Sequence, residues 1–413
     1  LWGIDFFWIA AIGLVVLTAL YTIFGGMKSV LYTSVLQTPI LLLGSLIILV
    51  LGFKELGGWD EMMRVCGAVT VNDYGDTMTN LIRSNDDANF PWLGALIGSA
   101  IIGFWYWCTD QFIVQRVLSG KNEMEARRGT IFGAYLKLLP VFLFLIPGMI
   151  AFALHQKYIG AGGEGFLPML ANGTANADAA FPTLVAKLLP AGVKGLVVCG
   201  ILAALMSSLA SLFNSSAMLF TIDFYKRFKP ETPEKKLVGI GQIATIVIVV
   251  LGILWIPIMR SVGDVLYTYL QDVQSVLAPG IAAAFLLGIC WKRTSAQGGM
   301  WGLISGMVIG LTRLGAKVYY SNAGEVADST FKYLFYDMNW LFFCGWMFLF
   351  CIIVVIVVSL ATEAPTAEKI QGLVFGTATK EQKAATRASW NHWDIIHTVI
   401  ILAITAAFYW YFW

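Results

Sequence analysis

Apolar residues occur along this chain in long runs that are separated by short polar stretches. A helix needs about 20 predominantly apolar residues to cross the roughly 30 Å hydrocarbon core of a bilayer. Ten segments reach that length: 4–24, 30–52, 91–118, 128–156, 193–224, 236–259, 264–291, 295–316, 338–360 and 393–413. The apolar–polar alternation of a transmembrane β-barrel is absent from these runs. The pattern therefore predicts an all-α polytopic membrane protein.

Composition supports a membrane location and argues against several other classes. Only 13% of the 413 residues are charged and 58% are apolar, whereas soluble domains carry roughly 25% charged residues. The net charge of +2 is too small to indicate a nucleic-acid partner. We therefore predict a multi-pass protein of a cell membrane, either a plasma membrane or a bacterial inner membrane, with the lipid bilayer as its surroundings. The oligomeric state is not indicated.

Basic residues divide unevenly between alternate loops. If the first segment enters from outside, the inner loops hold 16 of the 27 Lys and Arg residues and the outer loops hold 9. Cytoplasmic loops carry an excess of Lys and Arg, so this orientation is favoured. It places long outer loops at 53–90 and 157–192 and an inner loop at 361–392, all within a single transmembrane domain over residues 1–413.

Two basic residues lie within predicted spans. Lys137 is nine residues inside the fourth segment, which places it roughly 13 Å from the inner end of the helix. Charge at that depth is costly, so Lys137 indicates either a polar cavity or a structural ion pair, with Asp110 as the candidate partner. Arg313 lies near the outer end of its span, where its side chain is expected to snorkel to the interface.

The third segment carries an aromatic run that is followed at once by polar groups. Tyr106 and Trp107 precede Asp110 and Gln111 near the middle of the span. Aromatic rings at this depth usually pack against other helices. Rings that stack on a sugar, with amide and charged groups for its hydroxyls, fit a polyol site equally well.

Small and hydroxyl residues share one helical face of the fifth segment, namely Ala204, Ser207, Ser208 and Ser211. This spacing is typical of close helix packing in membranes and equally of oxygen ligands for a hard cation such as Na⁺. Two hydroxyls do not complete a cation shell. The remaining oxygens would come from backbone carbonyls of a broken helix elsewhere.

The seventh segment carries Gln271, Asp272 and Gln274 ahead of the pair Pro279-Gly280. The pair predicts a kink near mid-membrane. A polar half-helix before a kink is common where a substrate passes, but a kink that only shapes the fold is an equal alternative.

Several stretches together resemble the sodium/glucose cotransporter branch of the sodium/solute symporter family. They are residues 105–111, 113–116, 135–140, 206–211 and 220–225. The resemblance covers nearly the whole chain and implies the five-plus-five inverted-repeat fold of the leucine transporter, with extra flanking helices. It also implies that the chain starts at the fourth core helix, so that the N-terminal core helices are missing.

The resemblance implies roles for individual residues. The sugar-binding residues would be Lys137, Gln271, Tyr106 and Trp107. Tyr106 would also be the aromatic inner gate that stacks on the sugar ring. The carbonyl of Ala204 and the hydroxyls of Ser207 and Ser208 would be sodium ligands.

Three positions depart from the family pattern. Many members have a Thr-Asp pair where this chain has Thr33-Ser34, and members that bind a second sodium tend to have Ser in place of Ala204. Both differences remove oxygen ligands, so one coupled sodium ion is predicted. Gly103 stands where relatives carry a polar side chain that reaches the sugar, which leaves the identity of the sugar open.

These features predict a sodium-coupled symporter that takes up a monosaccharide such as glucose or galactose by alternating access. Myo-inositol or another polyol is the alternative substrate. A non-transporting sugar sensor or a sodium-leak channel on the same fold is the alternative function. A membrane-embedded enzyme is less favoured, because the sequence contains no P-loop, zinc motif, nucleophile elbow or matched pair of carboxylates.

Overall fold

The computed structural model describes residues 6–170, 173–260, 266–322 and 327–412, and these are mostly helical. The helices of eight or more residues are α1 (Phe6–Leu56), α2 (Trp59–Gly67), α3 (Trp92–Cys108), α4 (Gln111–Leu118), α5 (Glu123–Pro140), α6 (Ile146–Gly160), α7 (Ala180–Leu188), α8 (Ala191–Met218), α9 (Glu234–Arg260), α10 (Leu266–Cys290), α11 (Ala296–Asn322), α12 (Trp340–Ala361), α13 (Lys380–Ala388) and α14 (His392–Tyr411). A π-helical stretch at Val141–Leu145 joins α5 to α6, and another at Leu219–Tyr225 extends α8. The predicted all-α class is confirmed.

Nine of the ten predicted spans coincide with apolar helices. Within the described ranges, eight helical stretches and one bent pair of helices are long and apolar enough to cross a membrane. The tenth predicted span, 295–316, is the 27-residue α11. This helix is long enough to cross but less apolar, since it contains several glycines together with Arg313 and Lys317.

The first two predicted spans, 4–24 and 30–52, are not separate helices but lie in one continuous helix. Helix α1 has 51 residues, which corresponds to roughly 77 Å at 1.5 Å per residue. It contains two separate apolar stretches, Phe7–Phe24 and Gln37–Leu56. The sequence between them has no proline. Its Gly25-Gly26 pair weakens a helix by about 1 kcal/mol per residue without ending it.

The chain forms two compact units by its internal contacts. The first unit comprises Leu1–Ala68 and Leu136–Gly263, and the second comprises Val69–Tyr135 and Asp264–Trp413. In the first, α1, α8 and α9 meet at a buried cluster of Ala19, Phe213 and Val249.

The core of the second unit lies where α3, α10 and α12 meet. Its buried members include Ile101, Ala278 and Leu341. Helices α3 and α12 approach closely because Gly98 has no side chain. A Cβ at Gly98 would lie 2.8 Å from the carbonyl oxygen of Leu341. Small residues at helix crossings allow such backbone approach in membrane proteins.

Candidate sodium and substrate sites

The candidate sodium ligands of the first unit lie on α8, where it faces α1. Ser207 is buried, and its Oγ lies 2.5 Å from Oγ of Ser34 on α1. Ser208 is exposed, and Ala204 lies one turn earlier on the same helix and is half-buried. The structure therefore joins Ser207 to Ser34, the residue that stands where many family members have Asp.

Backbone carbonyls beside Ser207 already accept hydrogen bonds. Tyr21 on α1 donates from its Oη to the carbonyl of Met206 at 2.8 Å, and Ser211 donates from Oγ to the carbonyl of Ser207 at 3.0 Å. The hydrogen bond from Tyr21 joins α1 to α8, whereas the one from Ser211 lies within α8. The arrangement presents several neutral oxygens in one place, which is the chemistry that a hard cation needs.

The third predicted span, 91–118, is a bent pair of helices in the second unit. Helices α3 and α4 are bent by 47° at Thr109-Asp110. Asp110 caps α4, since its carboxylate accepts a hydrogen bond from the amide of Phe112 at 3.0 Å. Asp is a favoured N-cap residue because it satisfies an unpaired amide of the first turn. An Asp directly before a new helical run was the sequence signal for this break.

The aromatic candidates lie in the last turn of α3, immediately before the break. The rings of Tyr106 and Trp107 meet edge to face with centroids 5.3 Å apart. Trp107 is 48% exposed and Tyr106 is half-buried. Broken helices in transporters commonly surround the substrate site. The position of these two rings at the break is therefore consistent with a site for a sugar.

Gln271 lies in the N-terminal half of α10. It is half-buried, and its Nε2 donates to Oη of Tyr267 at 3.3 Å. Phe104, two residues before Tyr106, packs 6.1 Å from Phe285 in the half of α10 that follows Pro279. Gln271 therefore lies in the half of α10 before Pro279, whereas Phe104 of α3 packs against the half that follows it.

Lys137 belongs to the first unit. It lies in the last turn of α5, three residues before Pro140 and the π-helical stretch, and its side chain is exposed. A π-helical insertion within a helix is frequently found at a functional site.

Arg313 does not snorkel, contrary to the prediction. Its side chain is fully buried, with Nη2 at 3.5 Å from Oδ1 of Asp272. Lys317 donates from Nζ to the other oxygen of Asp272 at 2.5 Å. The guanidinium also lies over the ring of Phe343, with 4.1 Å between Cζ and the centroid. The carboxylate of Asp272 compensates the charge of the buried guanidinium, so Arg313 stays buried instead of extending to the membrane interface. Sequence reasoning missed this cluster, although Arg313 and Lys317 are spaced to share a helical face.

The loop between α2 and α3 is held by carboxylates. Asn72 donates from Nδ2 to Asp76 at 2.7 Å and to Asp87 at 3.1 Å. The hydrogen bond from Asn72, followed by one from the Ser84 amide, holds the pKa of Asp76 below its ordinary value. Burial alone would raise the pKa of Asp87, but hydrogen bonds from two backbone amides and Asn72, with the charge of Arg83, lower it on balance.

Comparison with known proteins identifies the family. The model of the sodium:solute symporter family matches residues 2–306. The chain belongs to this family. Membership confirms the resemblance on which the site residues were assigned. It also confirms the expected class, a multi-pass membrane protein of a transporter family.

Similar proteins include several sugar and polyol cotransporters. The chain is 34% identical to the sodium/mannose cotransporter of Bos taurus over 98% of its own length and 72% of that protein. It is 35% identical to sodium/myo-inositol cotransporter 2 of Homo sapiens over 90% of the chain and 56% of the relative. It is 37% identical to sodium/glucose cotransporter 1 of Ovis aries over 87% of the chain and 57% of the relative. The chain thus spans little more than half the length of the last two relatives.

A solved structure is similar as well. The substrate-bound outward-open state of a Na⁺-coupled sialic acid symporter matches with a TM-score of 0.64 at 20% sequence identity, over 88% of this chain and 68% of that chain. This likeness confirms the predicted symporter fold.

Proposed function

We propose that the protein is a sodium-coupled symporter that takes up a neutral monosaccharide, glucose- or galactose-like, by alternating access with one sodium ion. The observation that carries this proposal is the Ser34–Ser207 pair on a chain of this family. The pair supports a site of neutral oxygens for one sodium ion, because Ser34 stands where many members have Asp and its hydroxyl contacts that of Ser207. The identity of 34–37% to sugar and myo-inositol cotransporters supports the substrate class.

In this mechanism sodium binds first at Ser207, Ser208 and the carbonyl of Ala204. Binding favours the outward-open state. By the family resemblance, Gln271 and Lys137 would each bind sugar hydroxyls, and Tyr106, flanked by Trp107, would be the aromatic inner gate. One charge that moves down 100 mV supplies about 2.3 kcal/mol. Since about 1.4 kcal/mol is a factor of ten, this energy can concentrate a neutral sugar several tens of fold.

Uptake of labelled glucose into proteoliposomes tests the coupling. We expect accumulation only with an inward sodium gradient, and equal uptake without sodium contradicts the proposal. Sugar-evoked current without accumulation would favour the sensor or leak-channel alternative.

Three variants test the assigned site. Ser208→Ala should raise the sodium concentration for half-maximal uptake, whereas Ser216→Ala, two turns further along α8, should not. Lys137→Ala should raise the KM for sugar more than it reduces the amount of folded protein. Its control is Lys157→Ala, at the outer end of α6, whose ammonium donates instead to the carbonyl of Leu56.

Myo-inositol is the second candidate substrate, because a myo-inositol cotransporter shares 35% identity with 90% of the chain. A competition panel of unlabelled glucose, galactose, mannose and myo-inositol against labelled glucose separates these candidates. Uptake of labelled myo-inositol, with no measurable uptake of labelled glucose, would replace the monosaccharide with a polyol.

A further inference from the structure

Asp272 is a buried carboxylate shared by two cations. It is 8% exposed, and its two oxygens face Nζ of Lys317 at 2.5 Å and Nη2 of Arg313 at 3.5 Å. Arg313 is fully buried, whereas the Lys317 side chain is 32% exposed. With all three groups ionised, the cluster carries one net positive charge.

The close approach of α10 and α11 creates this cluster. A Cβ at Gly310 would lie 2.8 Å from the carbonyl oxygen of Val276, so the two helices touch at that point. Asp272 lies one turn before Val276, and Arg313 and Lys317 follow Gly310 by three and seven residues. Residues at these spacings share a helical face. The contact therefore aligns the carboxylate with both cations.

Arg313 anchors the cluster to a fixed part of the second unit. Its Nη2 donates to the carbonyl of Met338 at 2.8 Å, and its guanidinium lies against the ring of Phe343 on α12. A fully buried guanidinium with these contacts has little freedom to move. The carboxylate of Asp272 is thus tied to a rigid point beside α12.

Gln271 projects from a different side of the same helix turn, because consecutive helical residues are about 100° apart. It shares a face with Ala278, two turns later, which belongs to the same buried cluster as Ile101 of α3. Pro279 follows and removes one backbone hydrogen bond, which weakens the coupling between the two halves of α10. The rotation of the N-terminal half of α10 about the helix axis then depends on side-chain contacts, such as those of Asp272 with Lys317 and Arg313.

We propose that Asp272 is a positioning residue for the sugar site. By binding Lys317 and Arg313 it sets the rotation of the N-terminal half of α10 and so directs Gln271 towards the substrate. This inference rests on the proposed function, in which Gln271 contacts the sugar.

Lys317 provides the cleanest test. Lys317→Gln removes one cation and leaves the buried Arg313–Asp272 pair intact, while Lys317→Arg keeps the charge. With labelled glucose and labelled myo-inositol as probes, Lys317→Gln should raise the sugar KM three- to tenfold. Lys317→Arg should stay within twofold of the wild-type KM, and the sodium concentration for half-maximal uptake should stay within twofold in both.

A purely structural role would lower the maximal rate through the amount of folded protein and leave KM unchanged. An unchanged sugar KM in folded Lys317→Gln overturns the inference, as does an equal shift in sodium dependence. Asp272→Asn is expected to reduce the amount of folded protein, because it leaves Arg313 buried without a carboxylate. It is therefore a secondary variant.

Thiol labelling tests the positioning without any transport. Gln271→Cys is made in a background where the exposed Cys108, Cys199 and Cys290 are serine, with Lys317 or with Lys317→Gln. The rate at which a water-soluble thiol reagent labels Gln271→Cys should differ severalfold between the protein with Lys317 and the protein with Lys317→Gln. Equal rates overturn the inference. Absence of sodium-driven uptake of either probe by the wild-type protein contradicts the proposed function instead, and the labelling rates still decide the positioning role.

Discussion

The hydroxyl of Ser34 on α1 lies 2.5 Å from the hydroxyl of Ser207 on α8. The resemblance of the chain to the family assigns Ser207 as a sodium ligand. Ser34 was noted only because it departs from the family pattern. Their contact gives that departure a structural meaning. A carboxylate at position 34 would lie directly beside the candidate sodium ligand, and this chain has a neutral hydroxyl there.

A carboxylate at this position, with one further oxygen, should therefore create a second cation site. We expect Ser34→Asp combined with Ala204→Ser to raise the Hill coefficient of sodium-dependent uptake from about 1 towards 2, since the coefficient is limited by the number of sites. Ser34→Ala with Ala204→Ser is the control, because it adds the hydroxyl without the charge. A Hill coefficient that stays near that of the control would show that Ser34 does not lie next to a usable ion site.

The helix crossing at Gly98 should be sensitive to a single methyl group. In Gly98→Ala the new Cβ would lie 2.8 Å from the Leu341 carbonyl oxygen, and overpacking of this kind costs about 1–3 kcal/mol. Gly103→Ala on the same helix meets no described atom within 4 Å. It should be neutral or stabilise by up to about 1 kcal/mol through helix propensity. Thermal unfolding in detergent measures both, and equal melting temperatures would contradict the close crossing.

The loop between α2 and α3 should resist acid until the pH falls below the ordinary range of an Asp carboxyl. The pKa values of Asp76 and Asp87 are lowered in the folded loop. Their contribution is therefore fully present above the unfolded pKa, near 3.9, and is lost as the pH falls through the lowered values. In Asn72→Ala both pKa values should rise towards the ordinary value, so that the loop opens at a higher pH.

Cleavage of this loop by pepsin across the acid range provides the measurement. Asn85→Ala is the matched control, because Asn85 accepts a hydrogen bond from the Leu93 amide instead. If both variants open at the same pH, Asn72 is not the residue that holds the two carboxylates ionised.

Most of the fold could be predicted from the sequence because long apolar runs are a strong signal. The details that it did not give have specific causes. The break at Thr109-Asp110 lies inside one apolar run, where hydropathy cannot distinguish a straight helix from a capped pair. The joining of the first two spans depends on a glycine pair that permits either a turn or a helix.

The candidate site was less predictable because its contacts join distant parts of the chain. Ser34 and Ser207 are 173 residues apart, and Asp272 and Lys317 are 45 apart. Each could be recognised as a polar residue within an apolar segment. Only the packing of helices decides which polar residues meet. The depth of Arg313 in its span suggested the interface, whereas a carboxylate on the neighbouring helix keeps it buried.

Gly103 offers a direct test of substrate selection. It lies one turn before Trp107 on α3, and a Cβ there would enter open space. A polar side chain at this position should therefore fit without disturbing the helix and add a hydrogen-bonding group where relatives carry one. We expect Gly103→Asn to change the ratio of KM values for glucose and myo-inositol by threefold or more, because one added hydrogen bond contributes about 0.5–1.5 kcal/mol. Gly103→Ala, which adds bulk without polarity, should leave that ratio near the wild-type value. A ratio that is equal in the two variants would place position 103 outside the sugar site.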